Sequence, residues 1–276
     1  MAIKSGLTTD IVMDFLKKNI GIPLCILFVV VFDIIAYALG PHFYGTGWYL
    51  VSSLQRFLFF ALELFIFMKL FKKLKASEVI HMKGFKQGLI AGIAMLLYVP
   101  FDFITYCVIG PEGWNTVTVP MIIACLVFQQ LTTGLWEELT FRVYVCEGYY
   151  QSENKTARRR ITYAMISFLI FGMLHAVECD SLEVAIYRFL STGIWGFAFA
   201  AVYLYTHNFI VTAFLHFITD IFLNIPNFVT GFNDSVALTI MDNYVLWVIK
   251  AVILVVAVIF LIRKPIEEKE MLNNES

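Results

Sequence analysis

The sequence predicts an all-α fold, a polytopic membrane bundle of about eight transmembrane helices, each needing roughly 20 apolar residues to cross a bilayer. Three observations carry this. Of the 276 residues, 60% are hydrophobic and only 15% are charged, against about 25% charged in soluble domains. The apolar residues arrive as separate long runs, more than one soluble core can hold. The Lys and Arg residues gather in alternate loops. Only helices or closed barrels satisfy their own backbone hydrogen bonds in hydrocarbon, and runs of this length favour helices.

The runs fall at 20–39, 51–71, 88–109, 119–147, 160–178, 185–206, 208–225 and 244–262. Lys17 and Lys18 precede the first run. That run is longer than a signal peptide's apolar region, so it reads as a retained span. One side collects Lys4, Lys17, Lys18, Lys69, Lys72, Lys73, Lys75, Lys83, Lys86, Lys155, Arg158, Arg159, Arg160, Arg263, Lys264 and Lys269. The opposite loops, 40–48, 110–118, 177–182 and 224–243, hold no Lys or Arg, but they hold Glu112, Glu178, Asp180, Asp234 and Asp242. Such asymmetry places the basic loops and both termini in the cytoplasm. The expected organisation is a cytoplasmic N-terminal segment 1–19, a transmembrane helical domain 20–262 and a cytoplasmic tail 263–276. Short loops and abundant Phe, Ile and Lys give the chain the character of a bacterial plasma-membrane protein.

A net charge of −1 implies no nucleic-acid partner. Five cysteines without a Cys-x-x-Cys pair argue against a disulfide or zinc-finger framework. Gly84, Gly88 and Gly92, spaced by four, permit close helix approach at the start of the third run.

Ionisable groups are costly in hydrocarbon and therefore point to function. The runs contain Asp33, Glu63, Asp102, Glu137, Glu138, Arg142, His175, Arg188, His216 and Asp220. Glu138 and Arg142 stand at i and i+4 on one helix face, so the guanidinium can neutralise Glu138 bidentately. Glu137 points about 100° away and keeps no such partner. Glu138–Arg142 is thus structural, and Glu137 is available as a general base. His216 and Asp220 are again i and i+4, so the carboxylate can orient the imidazole. His216 lies about 12 Å from Asn208 along its helix and His175 about 22 Å from Arg160, so a shared cavity requires a tilted helix or a deep pocket.

The ordered set Glu137-Glu138-x-x-x-Arg142, Phe171-x-x-x-His175 and His216-x-x-x-Asp220, with Asn208 leading into the last, resembles the CPBP family of intramembrane proteases. That family includes CAAX prenyl proteases of type 2 and Abi-like, bacteriocin-processing relatives. The resemblance covers about residues 120–225. It implies an endopeptidase acting on membrane-associated peptides or proteins, by CAAX-type or leader- and signal-peptide processing. Glu137 and His175 would activate a water, while His216 and Asp220 would stabilise the oxyanion; Glu138, Arg142, Phe171 and Asn208 would support them. Many members carry Asn where this chain has Asp220. An ionised Asp cannot donate to an oxyanion, so Asp220 would be protonated, orient His216 or bind a metal. Glu137, His175 and His216 also form a His₂Glu set suited to zinc. The expected cofactor is none, or a divalent metal such as zinc. The site is expected to face the cytoplasm. Two other functions stay open from sequence: a non-catalytic scaffold or bacteriocin-immunity protein, and a transporter using Asp33, Glu63 and Asp102.

Overall fold

A computed structural model describes residues 19–70, 76–177 and 179–266. The expected segment 1–18, Lys72, Lys73, Lys75, Glu178 and the tail from 267, with Lys269, lie outside the described residues. The rest is almost entirely helical. The long helices are α1 (Gly21–Leu39), α2 (Gly45–Leu70), α3 (Phe85–Ala91), α4 (Ile93–Ile109), α5 (Val119–Tyr150), α6 (Ala157–Ala176), α7 (Leu182–Thr206), α8 (Phe209–Leu223) and α9 (Val236–Ile262).

Six of these helices, α8 together with the turn that continues it to Phe228, are long and apolar enough to cross a bilayer, seven if α3 and α4 form one broken span. The eighth expected span is α6. Its 20 residues reach about 30 Å, a bilayer's hydrocarbon thickness. Arg158, Arg159, Arg160 and His175 leave it less apolar than the others. The third expected span, 88–109, is bent by 54° between α3 and α4. The break falls at Gly92, two turns before Pro100. A side chain there would collide with α8: a Cβ on Gly92 would lie 2.5 Å from Leu215 Cδ1, and one on Gly88 2.6 Å from Val211 Cγ1. The glycine stripe therefore seats α3 and α4 on the helix that carries His216.

Lipid-facing and protein-facing sides separate cleanly along α9. Val248, Val252, Val255, Ile259 and Ile262 are exposed, whereas Leu246, Lys250, Ile253, Ala257 and Leu261 are buried. The spacing is the helical repeat of an amphipathic surface with hydrocarbon as the solvent. α1 exposes Ile26, Leu27, Val30 and Ile34 in the same way. The protein is an integral membrane protein. At its centre stand α5, buried on every side over Glu138–Tyr149, and α7, buried on every side over Gly193–Thr206.

The two ends of the bundle are built differently. At the basic end, polar clamps close the structure. Arg160, grouped from sequence with the surface charges, is buried and donates to Leu261 O at 2.8 Å and Arg263 O at 2.9 Å. It thereby caps the C-terminus of α9, whose last carbonyls have no helical partners. Tyr203 OH donates to Glu147 Oε1, and His207 Nε2 contacts the same oxygen at 2.8 Å. Asn208 Nδ2 donates to Lys83 O at 2.7 Å, while Asn208 Oδ1 caps α8 by accepting from Val211 N. At the opposite end, two short strands not expected from the sequence pair antiparallel: β1 (Pro111–Trp114) and β2 (Val229–Phe232). Asn233 fastens them by donating its amide to Ile109 O and Gly110 O.

Candidate active site

The site begins with one close backbone approach and two ring contacts. Gly134 lies one turn before Glu138 on α5. A Cβ there would stand 2.9 Å from Ala213 O of α8. The missing side chain lets α5 and α8 touch, and Glu138 then reaches His216. On α6, Phe171 packs edge-on against Phe141 of α5, with ring centroids 5.0 Å apart. On α7, Phe199 stacks on the His216 imidazole at 4.7 Å and 17°.

The helix bearing the acid pair is itself irregular. Residues Leu139–Val143 form a π-helical turn, a rare widening that recurs at functional sites. Glu63 of α2 holds this turn in place. Trp136 Nε1 donates to Glu63 Oε1 at 2.8 Å, Thr140 Oγ1 donates to Glu63 Oε2 at 2.7 Å, and Tyr144 OH donates to Glu63 O at 2.6 Å. Glu63 is thus occupied as a bracket for α5.

Arg142 Nε lies 3.2 Å from Glu138 Oε2, and both side chains are fully buried. The expected bidentate fork is not what forms. The other oxygen, Oε1, sits 2.7 Å from His216 Nδ1, so Glu138 is shared between the guanidinium and the imidazole. The Arg142 guanidinium is instead covered by aromatic faces, Phe171 at 4.5 Å, Phe199 at 5.1 Å and Phe141 at 5.8 Å. Phe171 therefore touches Arg142 as well as His175.

With Nδ1 engaged by Glu138, His216 turns Nε2 toward two other carboxylates. Asp220 Oδ2 is 3.3 Å away and Glu137 Oε2 is 3.7 Å away. Bare nitrogen would face bare oxygen, so a proton resides on Nε2 or on one of the two carboxyls. Glu137 is 13% exposed and Asp220 18%, whereas Glu138 is 0%. The first two open on a cavity and the third does not.

That cavity has a volume of about 540 Å³, and Glu137, His175, His216 and Asp220 all line it. It thus reaches the four residues across the depth that the helix offsets demanded. His175 occupies its wall: Nδ1 is bonded to Phe171 O at 2.8 Å, which leaves Nε2 for the cavity. From this centre the cavity extends past Trp195, Tyr187 and Asn227, toward the end of the bundle whose loops lack Lys and Arg. The cavity was expected on the side of the basic loops, and its lining lies toward the other end of the bundle. The Arg160, Glu147 and Asn208 clamps stand at the basic end instead.

Residues 119–222 match the model of a family described as Rce1-like, type II CAAX prenyl endopeptidase. The chain carries an Rce1-like peptidase domain. It spans α5 to α8, the helices that hold Glu137, His175, His216 and Asp220. No curated protein and no solved structure matches the chain. The Rce1-like domain is accordingly an intramembrane endopeptidase unit in a membrane bundle, with α1–α4 and α9 around it.

Among the described residues, no three His, Cys, Asp or Glu side chains converge closely enough to hold an ion. His216 spends Nδ1 on Glu138, and His175 spends Nδ1 on Phe171 O. Glu137, His175 and His216 all line the cavity.

Besides Glu147 of the basic-end clamp, two charged residues of the spans escaped the sequence reading. Arg56 of α2 bonds Ser52, lies over the Phe32 ring at 5.4 Å and stands within electrostatic range of Glu137 and Asp220. Lys250 of α9 is buried and lines the cavity. The signal that could have found both is the one used for the acids, a lone charge in an apolar run.

Proposed function

We propose that the Rce1-like domain hydrolyses peptide bonds of membrane-associated peptides or proteins with a water activated by Glu137. The observation that carries the reading is the division of labour within the acid pair. Glu138 is saturated by Arg142 and His216, while Glu137 opens on the cavity beside the same imidazole. In the proposed reaction, Glu137 takes a proton from water and the hydroxide oxygen bonds to the scissile carbonyl carbon. The charge that develops on the carbonyl oxygen is met by the His216 Nε2–H, which Glu138 and the Phe199 ring hold in orientation. Collapse breaks the C–N bond, and Glu137 returns its proton to the leaving amine. His175 faces the cavity with Nε2 and assists the water. Asp220, beside His216 Nε2, acts as a protonated donor or as the orienting partner of the ring. CAAX-type processing and removal of a leader or signal segment are both substrate classes for such a site, since each presents a peptide bond at the bilayer. The basic loops would face the cytoplasm of a bacterial plasma membrane.

The test is purified protein in detergent with a peptide panel. Glu137→Gln should abolish turnover while leaving expression and thermal stability near wild type. A strong chelator should leave wild-type turnover unchanged. Turnover retained in Glu137→Gln would remove the base from the scheme, and an unaffected cellular phenotype would favour a binding scaffold instead.

A further inference from the structure

The catalytic residues occupy one end of the cavity. The other end is lined by Lys250 with Asp102, Tyr98, Tyr106, Tyr187 and Arg188. Lys250 is 2% exposed in the middle of an apolar helix face. Its ammonium is surrounded by aromatic rings, Trp247 at 4.6 Å, Tyr187 at 5.3 Å and Tyr98 at 5.6 Å. Among the described residues it makes no hydrogen bond and no ion pair. A packing lysine in a membrane bundle would be expected to pair with a carboxylate or reach the interface. Two acids are nearby but do neither. Asp102 leaves Oδ2 buried without a partner, and Asp242 accepts the Tyr106 hydroxyl and does not line the cavity.

The result is a cavity with electrical polarity. One end presents Glu137 and Asp220, which repel an anion. The other presents the Lys250 ammonium, which makes no hydrogen bond or ion pair but lies within electrostatic range of Asp102 and Asp242, with the Arg188 guanidinium at the exposed rim and aromatic walls around it. We infer that Lys250 is a substrate-anchoring residue that binds a carboxylate of the peptide, with Arg188 as the outer cation, and so fixes which end of the chain points away from Glu137. The shared chemistry is a carboxylate, supplied by a free C-terminus or by an acidic side chain. This extends the proposed peptidase reading of the cavity by assigning its substrate polarity.

The experiment separates anchoring from hydrolysis. Three dansylated Leu/Ala peptides of equal length are used: a free acid, its C-terminal amide, and the amide with one Glu near the end. Binding is measured by fluorescence on wild type, Glu137→Gln, Lys250→Met and Lys250→Arg in detergent, alongside turnover. The free acid should bind wild type and Glu137→Gln at least about tenfold more tightly than the amide, the worth of a charge-assisted hydrogen bond. That preference should vanish in Lys250→Met and return in Lys250→Arg. Recovery of binding by the Glu-bearing amide assigns the carboxylate to a side chain, and no recovery assigns it to the terminus. Equal binding of acid and amide to wild type, no binding of any peptide, or an equal loss for all three in Lys250→Met would each overturn the inference. A carboxylate preference without turnover in wild type would leave the anchor standing and remove the peptidase reading.

Discussion

Removing Arg142 tests the idea that Glu138 is a shared structural acid. The perturbation is Arg142→Met, which keeps a comparable apolar stem. In the native protein the guanidinium and Glu138 are both fully buried, 3.2 Å apart, with three aromatic rings over the cation. Taking one partner from a buried ion pair leaves an uncompensated charge and costs about 3–5 kcal/mol. The lost ring contacts contribute about 1 kcal/mol more. For a protein of this size the sum of about 4–6 kcal/mol lowers Tm by about 8–24 °C. The double variant Arg142→Met/Glu138→Gln removes the stranded charge while keeping an oxygen for the His216 ring, so it should return to within about 2 kcal/mol of wild type. Thermal unfolding in detergent, followed with a dye that reacts with newly exposed thiols, reads this directly. Cys25 and Cys146 are buried in the same region and free. A single variant as stable as wild type, or a double variant less stable than the single, would refute the reasoning.

Two further outcomes follow from the site geometry. Asp220→Asn should keep activity within about tenfold, because an amide can donate where a protonated acid would, while Asp220→Ala should lose about a hundredfold, the typical cost of one oxyanion donor; equal losses from both would show that the acid itself is required. Gly134→Ala puts a Cβ 2.9 Å from Ala213 O, so α5 and α8 must separate. It should destabilise by about 1–3 kcal/mol and depress turnover more than Ala at a lipid-facing position such as Leu131; unchanged kinetics would mean that the helix approach is not limiting.

How far the site could be read in the sequence depends on the range of each interaction. The Glu138–Arg142 and His216–Asp220 pairs were legible because they sit at i and i+4 on single helices, where spacing alone brings side chains together. The sharing of Glu138 between Arg142 and His216 was not, because it joins positions 78 residues apart. Glu63 was recognised as an anomalous charge, but its bonds to Trp136 and Thr140 cross from α2 to α5 and leave no local trace. Arg160 shows the same boundary from the other side. Its place in a basic run reads as a cytoplasmic surface charge, whereas the fold buries it against the end of α9.

By itself the sequence determined that this is a helical membrane protein and which residues carry its protonatable groups. Hydrophobic run length and the expense of charge in hydrocarbon are properties of the chain before it folds. Only the tertiary structure decided which of those groups meet and at which end the cavity opens. Both depend on helix-to-helix approach at residues such as Gly134 and Gly92, and on clamps that close one end of the bundle, and neither is set by spacing along a single helix.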